Sequence, residues 1–405
     1  ARAAGGASGL VDLSFADLPR LLPESAHLVV NASRVFAARI FAARRAGSGE
    51  GKPVEVMFLA PEEGDAAAAL ERPCEGQEWR CMVRSALVAP GSALVARAAE
   101  APGGAELRLR VERVVSAWIE EDEDDGVEAV LTLSTNIPDL SAHEVFDTFG
   151  HVPLPPYMRR DAEDVDRATY QTVYASKDAA GSVAAPTAGL HFSPEVMSDL
   201  QAKGVRWTPL ALHVGAGTFR PVIAERIAEH DMHRESFAVE VGALREIIAS
   251  LEAGRPLVPV GTTAVRTLES LYWLAAGGSH DDAQALALGQ WDAYRLQLEL
   301  GGGDSDALPP PAVALQRLCD RAARRGEAVV HGTTSLCIAP GYNFKLCDAL
   351  VTNFHQPDST LLLLVAALAG RDSLKAAYQH AVEQRYRFLS YGDASLFFNA
   401  GGREQ

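Results

Sequence analysis

Between Pro53 and about Asn136 the sequence offers only short, often alternating apolar runs, cut apart by Pro, Gly or acidic turns. Residues 54–59, 79–83, 93–96, 107–115 and 127–133 each read as a strand. A run of short strands without helices hides its apolar faces by closing on itself or by stacking two sheets. This stretch is therefore predicted to be a small barrel or sandwich. After Ser141 the pattern changes to alternating helices and strands. Ser193-Pro194-Glu195 places a capping Ser and a first-position Pro at a helix start; that helix should stop at Gly204, before a strand at 210–214. Leu257–Val260 reads as a strand running through Gly261-Thr262-Thr263 into a helix ending near Ala276. Residues 277–311, rich in Gly, Asp and Pro, read as a long surface insertion with a short helix at 283–288. Strands are expected again at 328–330 and 349–351, then two helices from Ser359 to about Tyr386.

Upstream, an amphipathic segment leads from Leu10 into the apolar run His27–Asn31, then a Gly/Ser-rich stretch. The fold class expected is α/β. A large α/β domain with a mixed sheet, built from residues 1–52 and 151–405, is interrupted by an inserted small β-barrel at 53–150. The chain's 405 residues suffice for two or three domains, and 48% apolar with 22% charged residues is a globular balance. The greasiest run, 361–369, is half the length needed to cross a membrane and reads as a buried helix. Residues 1–9 lack the apolar core of a secretory signal, and the chain begins without Met, which leaves room for residues upstream. Cys74, Cys81, Cys319, Cys337 and Cys347 are odd in number and contain no C-x-x-C pair. They read as reduced thiols in a cytoplasmic protein, not as a zinc site or disulfide frame.

Two tempting motifs fail. Gly47-Ser48-Gly49-Glu50-Gly51-Lys52 resembles a phosphate loop, but Ala46 stands before it and Pro53 replaces the magnesium-binding hydroxyl. Gly215-Ala216-Gly217 follows a strand, but Arg220 stands where a dinucleotide site needs its third glycine. His230-Asp231-Met232-His233 has close histidines without a third recognisable ligand, so no metal site is expected.

Polar residues and glycines instead gather where strands should end. The segments are 185–192, 213–219, 261–266, 352–357 and 386–393. A single such segment is most simply a turn satisfying its own polar groups. Five in one domain point to a shared site, because open α/β sheets bind ligands beyond the carboxyl ends of their strands.

These segments resemble, in order, the signature stretches of the S-adenosylmethionine:tRNA ribosyltransferase-isomerase family. Gly181-Ser182-Val183-Ala184, Glu229-His230-Asp231-Met232-His233, 339–344 and Ser359-Thr360-Leu361-Leu362 add to the resemblance, which covers roughly 170–394. Upstream it weakens: Ala32 follows Asn31 where the family carries Asp, and Arg84 is the lone basic residue in 84–91, where relatives often have several. The chain thus resembles a divergent branch.

The resemblance implies a large α/β domain with an inserted β-barrel. It also implies transfer and rearrangement of the ribosyl group of S-adenosylmethionine onto 7-aminomethyl-7-deazaguanine at the wobble position of tRNA. Adenine and methionine leave, and epoxyqueuosine results. No prosthetic group is implied; S-adenosylmethionine is the ribosyl donor. The sulfonium acidifies the ribose 5′-carbon, so a base can open the sequence.

Neutral imidazole suits such proton transfers. His191 and His213, each in a Gly-containing loop at a strand end, are the leading candidates, with His355 and Asp393 in reserve. Thr187, Gly189, Gly215, Gly217, Thr218, Thr262, Thr263, Arg266, Asn353, Arg387 and Tyr391 are expected to line the substrate, although Arg266 could pair with Glu269 on its own helix. Phe192, Phe219 and Tyr391 could stack on a base, though core packing also explains such aromatics.

The formal net charge of −16 runs against a polyanionic partner unless basic residues cluster locally. Arg34, Arg39, Arg159 and Arg160, with Arg44, Arg45 and Lys52, are the clusters that could meet tRNA. The acidic run 120–125 reads as a solvated loop. Two other functions stay open on sequence alone: S-adenosylmethionine chemistry on a different nucleoside or small molecule, and non-catalytic RNA or ligand binding.

Overall fold

The structure is a computed structural model that describes residues 9–46, 49–64, 66–85, 88–98, 104–120, 123–215, 226–230, 232–278, 285–301 and 308–401. In chain order its strands are β1 (His27–Asn31), β2 (Arg34–Val35), β3 (Arg39–Ala46), β4 (Gly49–Pro61), β5 (Glu78–Val83), β6 (Ala93–Ala98), β7 (Ala105–Glu120), β8 (Glu123–Thr135) and β9 (Gly150–His151). They continue with β10 (Ala180–Ser182), β11 (Arg206–His213), β12 (Glu235–Glu240), β13 (Leu257–Val260), β14 (Leu286–Leu288), β15 (Val329–Thr334), β16 (Ala349–Asn353) and β17 (Ala394–Phe398). The chain divides into two compact units. One comprises Ala1–Ala32, Thr172–Ala175 and Pro186–Gln405; the other comprises Ser33–Gln171 and Ser176–Ala185.

In the second unit, strands run in the order β4-β5-β8-β7-β6-β3, and a further β3–β4 pairing closes them into a six-stranded antiparallel barrel. Closure leaves no open edge among those six strands. Alternation does the sorting: along β5, Trp79, Cys81 and Val83 are buried while Glu78 and Arg80 face outward. Trp79 and Phe58 pack with Phe36 and with Phe146 of the helix Ala142–Phe149, ring centroids 4.9–6.1 Å apart.

The first unit holds an eight-stranded mixed sheet in the order β14-β15-β12-β11-β1-β13-β16-β17. β11, β1, β13 and β16 are parallel neighbours, while β12 and β17 run against them. β1, β13 and β16 are buried along their whole length, as strands covered on both faces must be. The helix Thr262–Ala276 leaves β13 and is buried at nearly every position. Its entry needs Gly261 at φ 87°, a conformation that other residues adopt only with strain.

Several sequence expectations need correction. The barrel does not begin at 53: β3 supplies the closing strand, so its unit starts at Ser33 and extends past 150 to Ala185. Without β3, β4 and β6 would each lose a partner strand. The stretch 277–311 is not simply a surface insertion with a helix at 283–288. Leu286–Leu288 pairs with β15 as a strand, and Asp292–Gly301 is a helix; residues 279–284 and 302–307 lie outside the described residues. Of the acidic run 120–125, Glu120 ends β7 opposite Glu123 of β8, and residues 121 and 122 lie outside the described residues. Gly47 and Ser48 of the rejected phosphate loop lie outside the described residues, and β4 begins directly after them.

His27, at the start of β1, is 1% exposed. Its Nδ1 lies 2.8 Å from Ser250 Oγ and its Nε2 2.7 Å from Thr208 Oγ1, whose hydroxyl donates to Glu246 at 2.6 Å. Thr208 therefore accepts from His27 Nε2–H, and neutral imidazole satisfies the network. Burial pushes the His27 pKa down to about 4. Below pH 6.5 the unfolded chain thus binds a proton that the fold resists, so stability is complete above 6.5 and declines as pH falls toward 4. The loss attributable to this one residue should reach the order of 2–3 kcal/mol at pH 4. Urea unfolding at pH 7, 5.5 and 4.5 measures it; a His27→Gln variant whose pH dependence matches the wild type would contradict the assignment.

Candidate functional site

The sheet brings the polar segments to one edge. The carboxyl ends of β14, β15, β11, β1, β13 and β16 and the amino ends of β12 and β17 all lie there. His213, Asn31, Gly261, Asn353, Glu235 and Asp393 therefore stand on or next to a common border within the first unit. Such an edge is where open α/β sheets present ligand sites.

The best defined cluster centres on Asn353, the last residue of β16 and 3% exposed. Its Nδ2 donates to Thr187 Oγ1 at 3.2 Å, to the Leu389 carbonyl at 3.1 Å and to the Ser390 carbonyl at 3.4 Å. These acceptors fix the amide's orientation, leaving Oδ1 to face His191 Nε2 at 2.8 Å. The hydrogen-bond network thus assigns the proton of the neutral His191 ring to Nε2 and the lone pair to Nδ1. Burial lowers the His191 pKa; the Asn353 bond and the Asp393 charge raise it in part, and Arg387 lowers it. Neutral imidazole with a free Nδ1 is the form of a proton acceptor.

His191 ends the short helical turn Thr187–His191. Gly189 within it is sterically required, since a Cβ there would lie 2.0 Å from Tyr174 Oη and 2.7 Å from Thr172 Cγ2. Asp393, the reserve acid–base candidate, is also tied into its own loop. Its Oδ2 accepts from the Arg387 backbone N–H at 2.7 Å, and its own N–H donates to the Arg387 carbonyl at 2.7 Å, closing the 387–393 loop. Arg387 stays exposed, 3.6 Å from Asp393 Oδ1, and Tyr391 is also exposed. His355 bonds Thr352 Oγ1 at 2.9 Å through Nε2, and burial pushes its pKa down to about 4. Its backbone N–H donates to Tyr378 Oη at 2.8 Å, which makes it part of the scaffold under the loop.

A second cluster lies further along the edge, around β11, β12 and β1. His213 ends β11 and is partly exposed; a Cβ on Gly215 would sit 4.0 Å from His233 Cδ2. His233 Nε2 lies 3.3 Å from Glu235, which pairs with Arg266. Arg266 is 6% exposed and also donates through Nε to the Leu336 carbonyl at 3.1 Å. Its partner is therefore Glu235, not Glu269 as the three-residue spacing suggested. Glu269 is fully buried and accepts from the backbone N–H groups of Lys345 and Leu346 and from Tyr342 Oη at 2.8–3.1 Å; burial pushes its pKa up to about 7. Thr262 and Thr263 begin the buried helix, and Thr263 Oγ1 lies 3.5 Å from Asn31 Nδ2. Asn31 pairs both ways with Leu212, through Oδ1 and Nδ2 at 3.0 Å. Gly217 and Thr218, with Phe219, lie outside the described residues.

Sequence reasoning missed Asn31, His233 and Glu235 as members of these clusters, and Phe15, whose ring stacks on His191 with centroids 5.2 Å apart. Asn31 had a signal, a polar residue closing an apolar run; Phe15 had none. Phe192 is core, packed edge-on to Trp207 and Tyr174.

The basic residues expected to meet tRNA divide into two groups, all in the second unit. Arg39 pairs with Glu55 at 2.8 Å, and Arg160 makes two bonds to buried Asp166 at 2.6 and 2.7 Å. Those charges are used internally. Arg44, Lys52 and Arg159 are exposed and Arg34 half-buried, while the Arg45 side chain lies outside the described residues. Among the described residues, no three His, Cys, Asp or Glu side chains converge as a metal site, and no helix is long and apolar enough to cross a membrane.

A family model described as "Queuosine biosynthesis protein" matches residues 4–397. The S-adenosylmethionine:tRNA ribosyltransferase-isomerase of Dechloromonas aromatica is 36% identical over 97% of this chain and 88% of its own length. The protein of that name from Syntrophomonas wolfei is 37% identical over 96% and 86%. A crystal structure of an S-adenosylmethionine tRNA ribosyltransferase from Thermotoga maritima is 27% identical over 94% of this chain and 85% of that one, at a TM-score of 0.38. A match running through both units, with relatives more than a third identical over nearly their full lengths, places the chain in the queuosine biosynthesis protein family.

Proposed function

We propose that this chain is an S-adenosylmethionine:tRNA ribosyltransferase-isomerase, with S-adenosylmethionine as ribosyl donor and no prosthetic group. The family and the names of its relatives support this reading. The observation that carries the site is the His191–Asn353–Thr187 cluster at the carboxyl edge of the sheet. We take the acceptor to be 7-aminomethyl-7-deazaguanine at the tRNA wobble position, the product epoxyqueuosine, and the setting the cytoplasm, where both substrates occur.

In this reading His191 Nδ1 accepts the proton from the sulfonium-activated 5′-carbon, and the imidazolium so formed delivers it to the departing adenine. Methionine leaves as the neutral thioether. Asn353 keeps the ring in the one tautomer that can do this, as groups hydrogen-bonded to the far nitrogen of a working histidine generally do. In the same reading the threonine hydroxyls at Thr187, Thr262 and Thr263 hold sugar or base edges, with Tyr391 as a stacking face. His213, which pairs across the sheet with Ser236, the residue after Glu235, is the candidate for deprotonating the acceptor amine. The buried Arg266 is positioned by Glu235, so the exposed Arg387 is the better placed cation for the methionine carboxylate.

Labelled S-adenosylmethionine incubated with precursor-containing tRNA, followed by nucleoside mass spectrometry, tests the reaction. His191→Gln should lower kcat by about 100- to 10,000-fold with little change in S-adenosylmethionine binding. Asn353→Ala should lower kcat in the same direction by releasing the ring. Because burial depresses the His191 pKa, kcat/KM should fall on the acid side only below about pH 6.5, the ordinary histidine value. An acid limb centred above that value would remove His191 from the role.

The charge pattern gives a second test. With few uncommitted cations on the barrel unit, tRNA binding should depend weakly on salt, with a slope of log K against log salt of about −3 for three or four phosphate contacts. Arg44→Glu with Arg159→Glu should weaken tRNA binding and leave S-adenosylmethionine binding unchanged. Protein that binds S-adenosylmethionine but has no low-salt affinity for precursor tRNA would favour a smaller acceptor, which the net charge of −16 also favours.

A further inference from the structure

The segment ahead of β1 bears on the site twice. Ser14 and Asp17 form a capping box around the short turn Phe15–Asp17, with Ser14 N donating to Asp17 Oδ2 at 3.0 Å and Ala16 N to Ser14 Oγ at 3.4 Å. The box fixes where Phe15 projects. The Phe15 ring lies stacked on the His191 imidazole, centroids 5.2 Å apart and planes inclined by 26°, and meets Phe192 edge-on at 5.0 Å. Three residues earlier, Asp12 accepts from Tyr386 Oη at 2.5 Å and from His380 Nε2 at 2.8 Å. Tyr386 packs edge-on against Phe354, the neighbour of Asn353, and starts the loop whose Leu389 and Ser390 carbonyls hold the Asn353 amide.

We infer that residues 12–17 form a strap that positions the His191 ring by two routes, Phe15 by stacking on its face and Asp12 through Tyr386 and the 387–390 loop that orients Asn353. One hydrogen bond to Nε2 leaves a ring free to swing about that bond, and a flat neighbour across its face removes the swing. The inference rests on the reading of His191 as proton acceptor. Phe15 and Asp12 are positioning residues in it; neither needs to touch substrate.

The charged groups around His191 are Asp393 and Arg387 from the 387–393 loop; on the strap, Asp12 is engaged by Tyr386 and His380, and Asp17 by the capping box. Removing the Phe15 ring leaves those groups in place but admits water to His191. The acid limb of kcat/KM should therefore move up in Phe15→Ala, toward the ordinary histidine value.

The experiment compares wild type, Phe15→Tyr, Phe15→Leu, Phe15→Ala, Asp12→Ala and the Phe15→Ala/Asp12→Ala double variant, with His191→Gln alongside, on precursor tRNA and S-adenosylmethionine. Phe15→Ala should lower kcat roughly 10- to 100-fold, the scale expected when a reacting group is misplaced by about 1 Å, with the KM for S-adenosylmethionine changed less than about threefold. Phe15→Tyr should stay within about twofold, and Phe15→Leu should resemble Phe15→Ala. The double variant should lose less than the product of the single losses, because both routes end on one ring. Should Phe15→Ala not fold, Phe15→Leu and Asp12→Ala decide in its place. If His191→Gln remains active, the reading of His191 fails whatever Phe15 does. If His191→Gln is inactive while Phe15→Leu keeps wild-type kcat and acid limb, the strap inference is overturned and the catalytic reading stands.

Discussion

A strand buried on both faces can end in a polar side chain only where the protein itself supplies the hydrogen-bond partners. β1 and β16 are such strands, and each ends in an asparagine, Asn31 at 0% and Asn353 at 3% exposure. Asn31 resolves its demand sideways, by exchanging two hydrogen bonds with the backbone of Leu212. Asn353 resolves it upward, into the turn carrying Thr187 and His191 and the loop carrying Leu389 and Ser390. One amide therefore sets the position of two loops that are far apart in sequence. The site lies at this edge because the edge is where the core runs out of apolar residues and must organise polar ones.

That logic explains what the sequence made legible. A polar or glycine-rich cluster closing an apolar run is visible in one dimension, so the segments at 185–192, 261–266, 352–357 and 386–393 stood out without any knowledge of strand order. Partner choice was not visible. His191 meets Asn353 across 162 residues because β16 follows β13 in space, and Arg266 chooses Glu235 over Glu269 because β12 enters the same edge from the opposite direction. Helical spacing favoured Glu269, but that carboxylate turns to the backbone N–H groups of Lys345 and Leu346. The barrel's first strand was hidden for a related reason. Arg39–Ala46 shows no clean alternation, and its membership comes from closing β4 against β6, a nonlocal requirement. β14 was hidden by its setting, three residues amid Gly and Asp whose strand character comes only from pairing with β15.

The Glu235–Arg266 pair is a poor candidate for a stabilising device. Removing two charges from water costs several kcal/mol per ion, and mutual attraction does little more than return it. Its effect is better read as orientation. The pair ties the second turn of the Thr262–Ala276 helix to the entry of β12, and Arg266 Nε reaches the Leu336 carbonyl beyond β15. Thr262 and Thr263, at the amino end of that helix, are thereby held at a fixed register to the sheet edge. A hydrophobic pair would fill the volume without choosing that register.

Charge on the barrel unit follows a different rule. Arg39, Arg80, Arg97, Arg108, Arg110 and Arg160 each lie within 3.5 Å of a carboxylate, mostly in exposed pairs. Exposed pairs add about 0–1 kcal/mol each, so their number says little about stability. They say more about long-range attraction. A cation beside its own counter-charge presents a dipole, whose field at physiological salt is gone within roughly one Debye length, about 8 Å. A chain of net charge −16 built this way draws in a polyanion from a distance only where cations without a counter-charge cluster locally. Selection of an RNA substrate would then rest on shape and on base contacts at close range, with phosphates fixing register and supplying less of the affinity. A protein that works this way associates more slowly than an electrostatically steered one and discriminates more by fit.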